Sequence, residues 1–510
     1  MNEASAPPSY LQETRALVSS PAPLAWLTTL DPKRIGVLYL LVSGLALVAA
    51  EVLSTVARND LAASTVLALL FLTPSLPAAL GTFFLPLQLG QKSCALPHVS
   101  LLGFWLYVLG AASVLFGIVA THGAHVEAAG LTPMFGGALL LSLSAILSSI
   151  NLLATAGVAI FRGVPASRVT LFAWSICATS LAQILGGVAL FSVLPVFGLA
   201  HLGASAALLA SDFQGRVLAH PWADLSVAGT LMLVPAIGIT SDILATFSGK
   251  RPAGFALAAT SLTALAWLGL VTWAFPLFIG GDDFSEVKLA FTTALLTIPL
   301  AVVAFTWLAT LRGGRISLAV PMLWALGCLF QVVVAAPAGL LLGLLPTAAY
   351  LRDTPFDVGY RQYVFAGLPI LGFLAGVHYF WPKITGRLYD GRLAGVAFAL
   401  VFLGVQVMGL SQMAEGLVPS AAAFAAVSSY GGYALAAGLV ATLLVLVVSL
   451  FRGAHAPANP WDARGLEWSV ASPPPLVNFV RAPADGAEQA LASASGRAGA
   501  LRSPSALDVA

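Results

Sequence analysis

About twelve stretches of this chain stay apolar for the roughly 20 residues that a helix needs to cross a bilayer, and this leaves little choice of fold. Hydrocarbon offers no water to the peptide groups, so a spanning segment must bond its own backbone as a helix or close into a barrel. The stretches run continuously apolar rather than alternating, which selects helices. They cover approximately 35–57, 65–90, 99–121, 131–160, 169–197, 225–248, 254–278, 287–311, 317–345, 359–381, 391–413 and 430–451. With 59% hydrophobic and only 9% charged residues, no soluble globular domain accommodates the composition. The predicted fold class is all-α: a polytopic membrane protein of twelve transmembrane helices. The net charge of +2, with no basic run, excludes nucleic acid as a partner and leaves membrane lipid. Cys94, Cys177 and Cys328 lie far apart in or beside apolar segments and read as buried free thiols.

The loops alternate in charge. One set carries Lys33 and Arg34, Lys92, Arg162 and Arg168, Lys250 and Arg251, Arg312 and Arg315, Lys383, Arg387, Arg392 and Arg452. The other carries Asp60, Glu127, Asp212, Asp224, Asp282, Asp283, Glu286, Asp353, Asp357 and Glu415. Basic loops stay in the cytoplasm, which puts both termini inside and predicts a bacterial plasma membrane protein. The expected organisation is a cytoplasmic tail over 1–34, with no apolar stretch long enough for a signal peptide, and a membrane domain over 35–452. A cytoplasmic segment over 453–483, anchored by Trp461, Trp468 and Phe479, leads into a disordered tail over 484–510.

Charge concentrates at one mouth. Arg352, Asp353, Asp357 and Arg361 precede or open the tenth segment, and Asp357 and Arg361, four apart, share a helix face and can pair.

Several passages carry a resemblance. They are LTTLDPKRIGVLYL from Leu27, PAALGTFFLPLQLGQKSCALPHVSLLGFW from Pro77, PAIGITSDILATFSGKRPAGF from Pro235 and FTWLATLRGG from Phe305. AVSSYGGY from Ala426 and NPWDARGLEWSVASPPPLVNF from Asn459 complete the set. In this collinear order, over about 27–483, the chain resembles subunit I of the haem–copper oxidases, the cytochrome c oxidase type. The resemblance implies three arcs of four helices around two haems and a copper ion, and other respiratory-complex subunits as partners.

In that family six histidines hold the metals, since neutral imidazole suits haem iron and copper alike. At the matching positions this chain has other residues. The low-spin haem ligands correspond to Val66 and Gln362, and the high-spin haem ligand to Tyr360. The copper ligands correspond to Ser226, Phe275 and Pro276, and the tyrosine associated with them to Thr230. The family's proton-path residues correspond to Ala228, Val303 and Ser93, and its double arginine after Gly416 is missing. Arg361 enters where the family has an aromatic residue, with Asp357 as its expected partner; Glu51 and Asp353 match acidic positions near the outer face. The structural polar cluster is therefore Glu51, Arg352, Asp353, Asp357 and Arg361. Tyr360 could ligate iron as a phenolate, but reads better as filling space with its hydroxyl bonded to a neighbour, and Gln362 as an interhelical hydrogen bond. Of the seven histidines, His98, His220 and His455 fall in loops or at helix ends. His122 and His125 fall in an outer loop, His201 near a helix end, and His378 in an interfacial aromatic belt.

The sequence thus predicts no catalytic residue and no bound haem or copper. The expected role is that of a non-catalytic structural or regulatory component of a respiratory complex. The alternatives are an oxidoreductase with one unusual haem bound through Tyr360 or His378, and a transporter or binder of a small apolar ligand.

Overall fold

The computed structural model describes residues 9–11, 22–56, 75–123, 127–165, 169–201, 221–278, 285–418 and 422–479. The expected tail over 484–510 and Val66 lie outside them. A short helix α1 (Ala22–Leu27) precedes α2 (Pro32–Val56). A π-helical turn, Ser75–Gly81, then runs into α3 (Thr82–Gln88). There follow α4 (Pro97–Gly123), α5 (Glu127–Phe161), α6 (Leu171–His201), α7 (Pro221–Ser248), α8 (Phe255–Phe278) and α9 (Ser285–Leu311). Next come α10 (Val320–Gly343), a short α11 (Leu345–Leu351) and α12 (Pro355–Gln362). A second π-helical turn, Tyr363–Gly367, joins α12 to α13 (Leu368–Thr385), and α14 (Gly391–Leu417) and α15 (Ala422–Arg452) complete the bundle. Among the described residues, ten helices are long and apolar enough to cross a membrane, and two shorter apolar ones, Leu76–Gln88 and Phe255–Val271, fall at the remaining predicted segments. The described residues contain no strand, only isolated bridges at Ser9–Pro475 and Arg387–His455.

The continuous helix Pro355–Thr385 is the centre of the bundle: 89% of an 18-residue apolar stretch within it is buried, against 33% of the corresponding stretch of Pro32–Val52. Small residues let it approach its neighbours. A Cβ added at Gly372 would stand 2.4 Å from the Ala236 Cβ on α7, so glycine alone allows this crossing. The predicted start of this helix, residue 359, is four residues late. Thr354 caps the first turn by accepting from the Phe356 N–H, and Pro355 takes the first helical position, where its missing N–H costs nothing. At the other end Gly386 turns the chain at φ 69° and returns its N–H to the Pro382 carbonyl.

Among the described residues Lys33, Arg34, Lys383 and Arg387 gather at one end of the bundle, where residues 9–11 and 453–479 pack over them. Tyr10 is buried: its N–H donates to the Pro474 carbonyl at 3.0 Å, and its hydroxyl to the Ile384 carbonyl at 2.8 Å. Arg34 donates twice to the Tyr10 carbonyl. Lys33, fully buried, donates to the Leu476 carbonyl at 2.7 Å and to Asn478 Oδ1 at 3.1 Å, and pairs with Asp31 at 2.9 Å. Lys383 likewise donates to the carbonyls of Ala458 (2.8 Å) and Val470 (2.7 Å) and lies over the Trp468 ring. Trp461 and Trp468 donate their indole protons to the Tyr379 carbonyl and hydroxyl. Segment 453–479 is thus held by charged groups that donate to its backbone, which costs less than leaving those charges buried and unpaired.

Glu467 sits inside this closure, buried, with Oε1 accepting from Gln88 at 3.1 Å and Oε2 without a hydrogen-bond partner. Burial pushes its carboxyl above the usual range, while its backbone bond, Gln88 and the charge of Lys383 pull it back. A carboxyl raised in the folded state stabilises docking fully below its unfolded pKa, and that contribution is lost as pH climbs through the raised value. Limited proteolysis within 453–479 should therefore accelerate as pH rises above the ordinary glutamate range. In Glu467→Gln the cleavage rate should be flat with pH.

Candidate functional site

The charged mouth forms at the junction of α10, α11 and α12. Arg352, ending α11, donates to the Leu342 carbonyl at 3.1 Å. Asp353 turns the chain at φ 55°, a left-handed conformation that aspartate tolerates better than most residues. One turn into α12, Arg361 grips Asp357 with both arms of its guanidinium, Nε to Oδ1 at 2.9 Å and Nη2 to Oδ2 at 2.6 Å. The Asp357 side chain is 10% exposed and that of Arg361 22%, so the pair is largely desolvated and the fork geometry compensates for the lost hydration. Glu51 lies half-buried on α2.

Tyr360 is buried on the same helix. Its hydroxyl bonds the Thr297 side chain of α9, and Thr297 donates onward to the Thr293 carbonyl at 2.8 Å, so the phenol is the donor in a short relay. Both hydroxyls crowd Gly339 of α10, where an added Cβ would stand 2.5 Å from each oxygen. Gln362 is partly buried, and its Oε1 has no hydrogen-bond partner. At the π-turn that follows, Gln331 of α10 donates to the Tyr363 carbonyl at 2.5 Å, and the Tyr363 hydroxyl donates to Gln406 of α14 at 2.5 Å. Such turns loosen the helical ladder and expose carbonyls to side chains, which is what Gln331 uses.

The remaining predicted positions are dispersed. Ser226 lies on α7, and Phe275 and Pro276 on α8, their side chains outside the described residues. Thr230 is buried against Gly269, Val303 is buried on α9, and Ser93 is exposed in the loop after α3. His378 does not sit in an interfacial belt. It is fully buried, between the Trp324 ring at 5.3 Å and the edge-on Tyr389 ring at 5.1 Å, because α10 and the turn after α13 pack on either side of it. The partners Thr297, Gly339, Gln331 and Gln406 escaped the sequence reading. The glutamines were discoverable as lone amides in apolar helices; the Tyr360–Thr297 contact needs the packing.

The profile of the family described as cytochrome c and quinol oxidase polypeptide I matches residues 34–453. The chain is 29% identical to a heme-copper oxidase subunit I+III of Aeropyrum pernix, over 89% of this chain and 61% of that protein, so it spans less than two thirds of that relative's length. It is 26% identical to cytochrome c oxidase subunit 1 of Bacillus subtilis, over 90% of this chain and 81% of the relative. It is 27% identical to the subunit 1 of Thermostichus vulcanus, over 88% and 89%. Among solved structures, a heme-copper terminal oxidase dimer studied by cryo-EM superposes with a TM-score of 0.61 at 14% identity, covering 86% of each chain, a likeness of fold.

These matches overturn the expectation that the chain carries no haem or copper. That expectation counted imidazoles at six positions in one register, of which only Tyr360 and Gln362 have described side chains. The relatives are named as oxidases that contain both groups, and haem iron also accepts donors other than imidazole. Tyr360 and Gln362 themselves do not supply the imidazoles that the resemblance implies at their positions: neither offers a ring nitrogen, and the Tyr360 oxygen is engaged by Thr297. His378, with its ring enclosed, is not open to a porphyrin face. The described residues hold no group of three metal-binding side chains.

Neutralising one member of the ion pair strands the other. Asp357→Asn should lower stability by about 2 kcal/mol, less than a fully buried pair because Arg361 keeps some solvent. The double variant Asp357→Asn/Arg361→Gln should recover part of it, read as a coupling energy in thermal or denaturant unfolding of the micelle-bound protein.

Proposed function

Because this chain belongs to the cytochrome c and quinol oxidase polypeptide I family, we propose that it serves as the subunit I-type membrane scaffold of a multi-subunit respiratory complex. In this reading it has a structural or regulatory role and does not reduce oxygen. One observation carries the proposal. On the most buried helix, the segment where the family resemblance places two axial imidazoles is occupied by Tyr360, its hydroxyl bonded to Thr297, and by Gln362, beside an internal Arg361–Asp357 clamp. The clamp gives this helix a fixed, charge-neutral entrance suited to holding its neighbours in register. The basic loops argue for a cytoplasmic position of the closed end of the bundle, and so of both termini, in a bacterial plasma membrane. Relatives of this type work beside other subunits, and the lipid-facing helices and the closed end supply the surfaces for that assembly.

The test is made on the purified protein in lipid nanodiscs, by absorption spectroscopy and by oxygen uptake with reduced cytochrome c and with quinol. No turnover is expected with either donor, and Tyr360→Phe should leave the visible spectrum unchanged. Oxygen uptake at oxidase rates, abolished together with a Soret band by Tyr360→Phe, would instead make this a working oxidase with a phenolate ligand.

A further inference from the structure

Trp105, Trp174, Trp307, Trp381, Trp461 and Trp468 each donate the indole N–H to an oxygen of the protein. Trp324, fully buried on α10, does not: its Nε1 has no partner. Against its ring lies His378, also fully buried. His378 Nδ1 is 2.8 Å from the Leu374 carbonyl. A carbonyl only accepts, so Nδ1 carries the proton and Nε2 presents a lone pair. That lone pair too is unpartnered. An unused buried donor and an unused buried acceptor therefore sit on neighbouring rings.

They cannot satisfy one another directly. The ring centroids are 5.3 Å apart and the planes only 33° from parallel. In this tilted contact no hydrogen bond joins the two nitrogens. The Tyr389 hydroxyl donates to the His378 carbonyl at 3.2 Å, and no side chain among the described residues bonds either the Trp324 indole nitrogen or His378 Nε2. Phe398 closes the far side edge-on to Trp324 at 5.0 Å. Buried polar groups in native interiors find a partner, and where the protein supplies none, a bound molecule does.

We propose that Trp324 and His378 form a binding site for one water-sized protic molecule, water itself in the purified protein, which accepts from the indole N–H and donates to the imidazole. The molecule bridges α10 to the central helix and keeps the imidazole in its neutral, Nδ1-protonated form. The site is independent of the oxidase positions and stands whether or not the scaffold reading does.

Hydroxyl radicals generated by a brief X-ray pulse form at bound waters as well as in bulk, so they oxidise side chains touching an internal water regardless of surface exposure. The intact protein in nanodiscs, pulsed after mixing into ¹⁸O water, should show oxidation of Trp324 and His378 several-fold above that of Trp307. Trp307 is equally buried, but its indole is held by Ser241 at 2.7 Å. Trp324→Phe should bring His378 down to the Trp307 level while Trp307 and Trp468 stay unchanged, which shows that the fold has survived. Oxidation of Trp324 no greater than that of Trp307 in the unmodified protein overturns the proposal, and this comparison holds even if the variant does not fold.

Discussion

In hydrocarbon every peptide group and every polar side chain must find its partner within the protein, and the helix from Pro355 to Thr385 carries that constraint furthest. It is mostly buried, yet it holds an ion pair, three tyrosines, a glutamine, a histidine and a lysine. The hydrogen bonds it makes enlist several neighbours: Thr297 on α9, Gln331 on α10, Gln406 on α14, and backbone carbonyls of the closing segment. The surrounding helices are placed by what this one needs.

How much of this the sequence discloses depends on the range of the interaction. The spans follow from local hydropathy, because a run of apolar residues reports directly on its own transfer free energy. The Asp357–Arg361 contact is equally local, set by the rise of one helical turn. The start of the tenth helix was also written locally, in Thr354 and Pro355, though periodicity alone placed it four residues late. Tyr360 with Thr297 and Lys33 with Asn478 are contacts between residues distant in sequence, and no spacing rule reaches them. His378 shows the cost: its neighbours VHYFWPK look like a membrane-interface belt until segment 453–479 is laid over them.

The same distinction separates fold from chemistry. Twelve apolar segments and a family profile over residues 34–453 agree on the scaffold. A donor inventory taken from one aligned register is a weaker instrument, since it presumes which side chains converge and which donors iron accepts. The expectation of a bundle without cofactors came from that inventory and gave way to the family evidence, whereas the placement of Tyr360 and Gln362 is a matter of contacts and stands by itself.

The closure that joins the two ends of the chain also sets a timetable. Lys33 finds its carbonyl at Leu476, 443 residues later. At ordinary elongation rates the ribosome takes about 20 to 90 s to cover that distance. Throughout that interval a cation destined for the interior stays hydrated at the membrane surface, and the bundle beneath it stays unsealed. A nascent chain that stops short of Leu476 therefore exposes an unclosed end to the cell's proteases, so completeness of synthesis is itself legible on the folded surface.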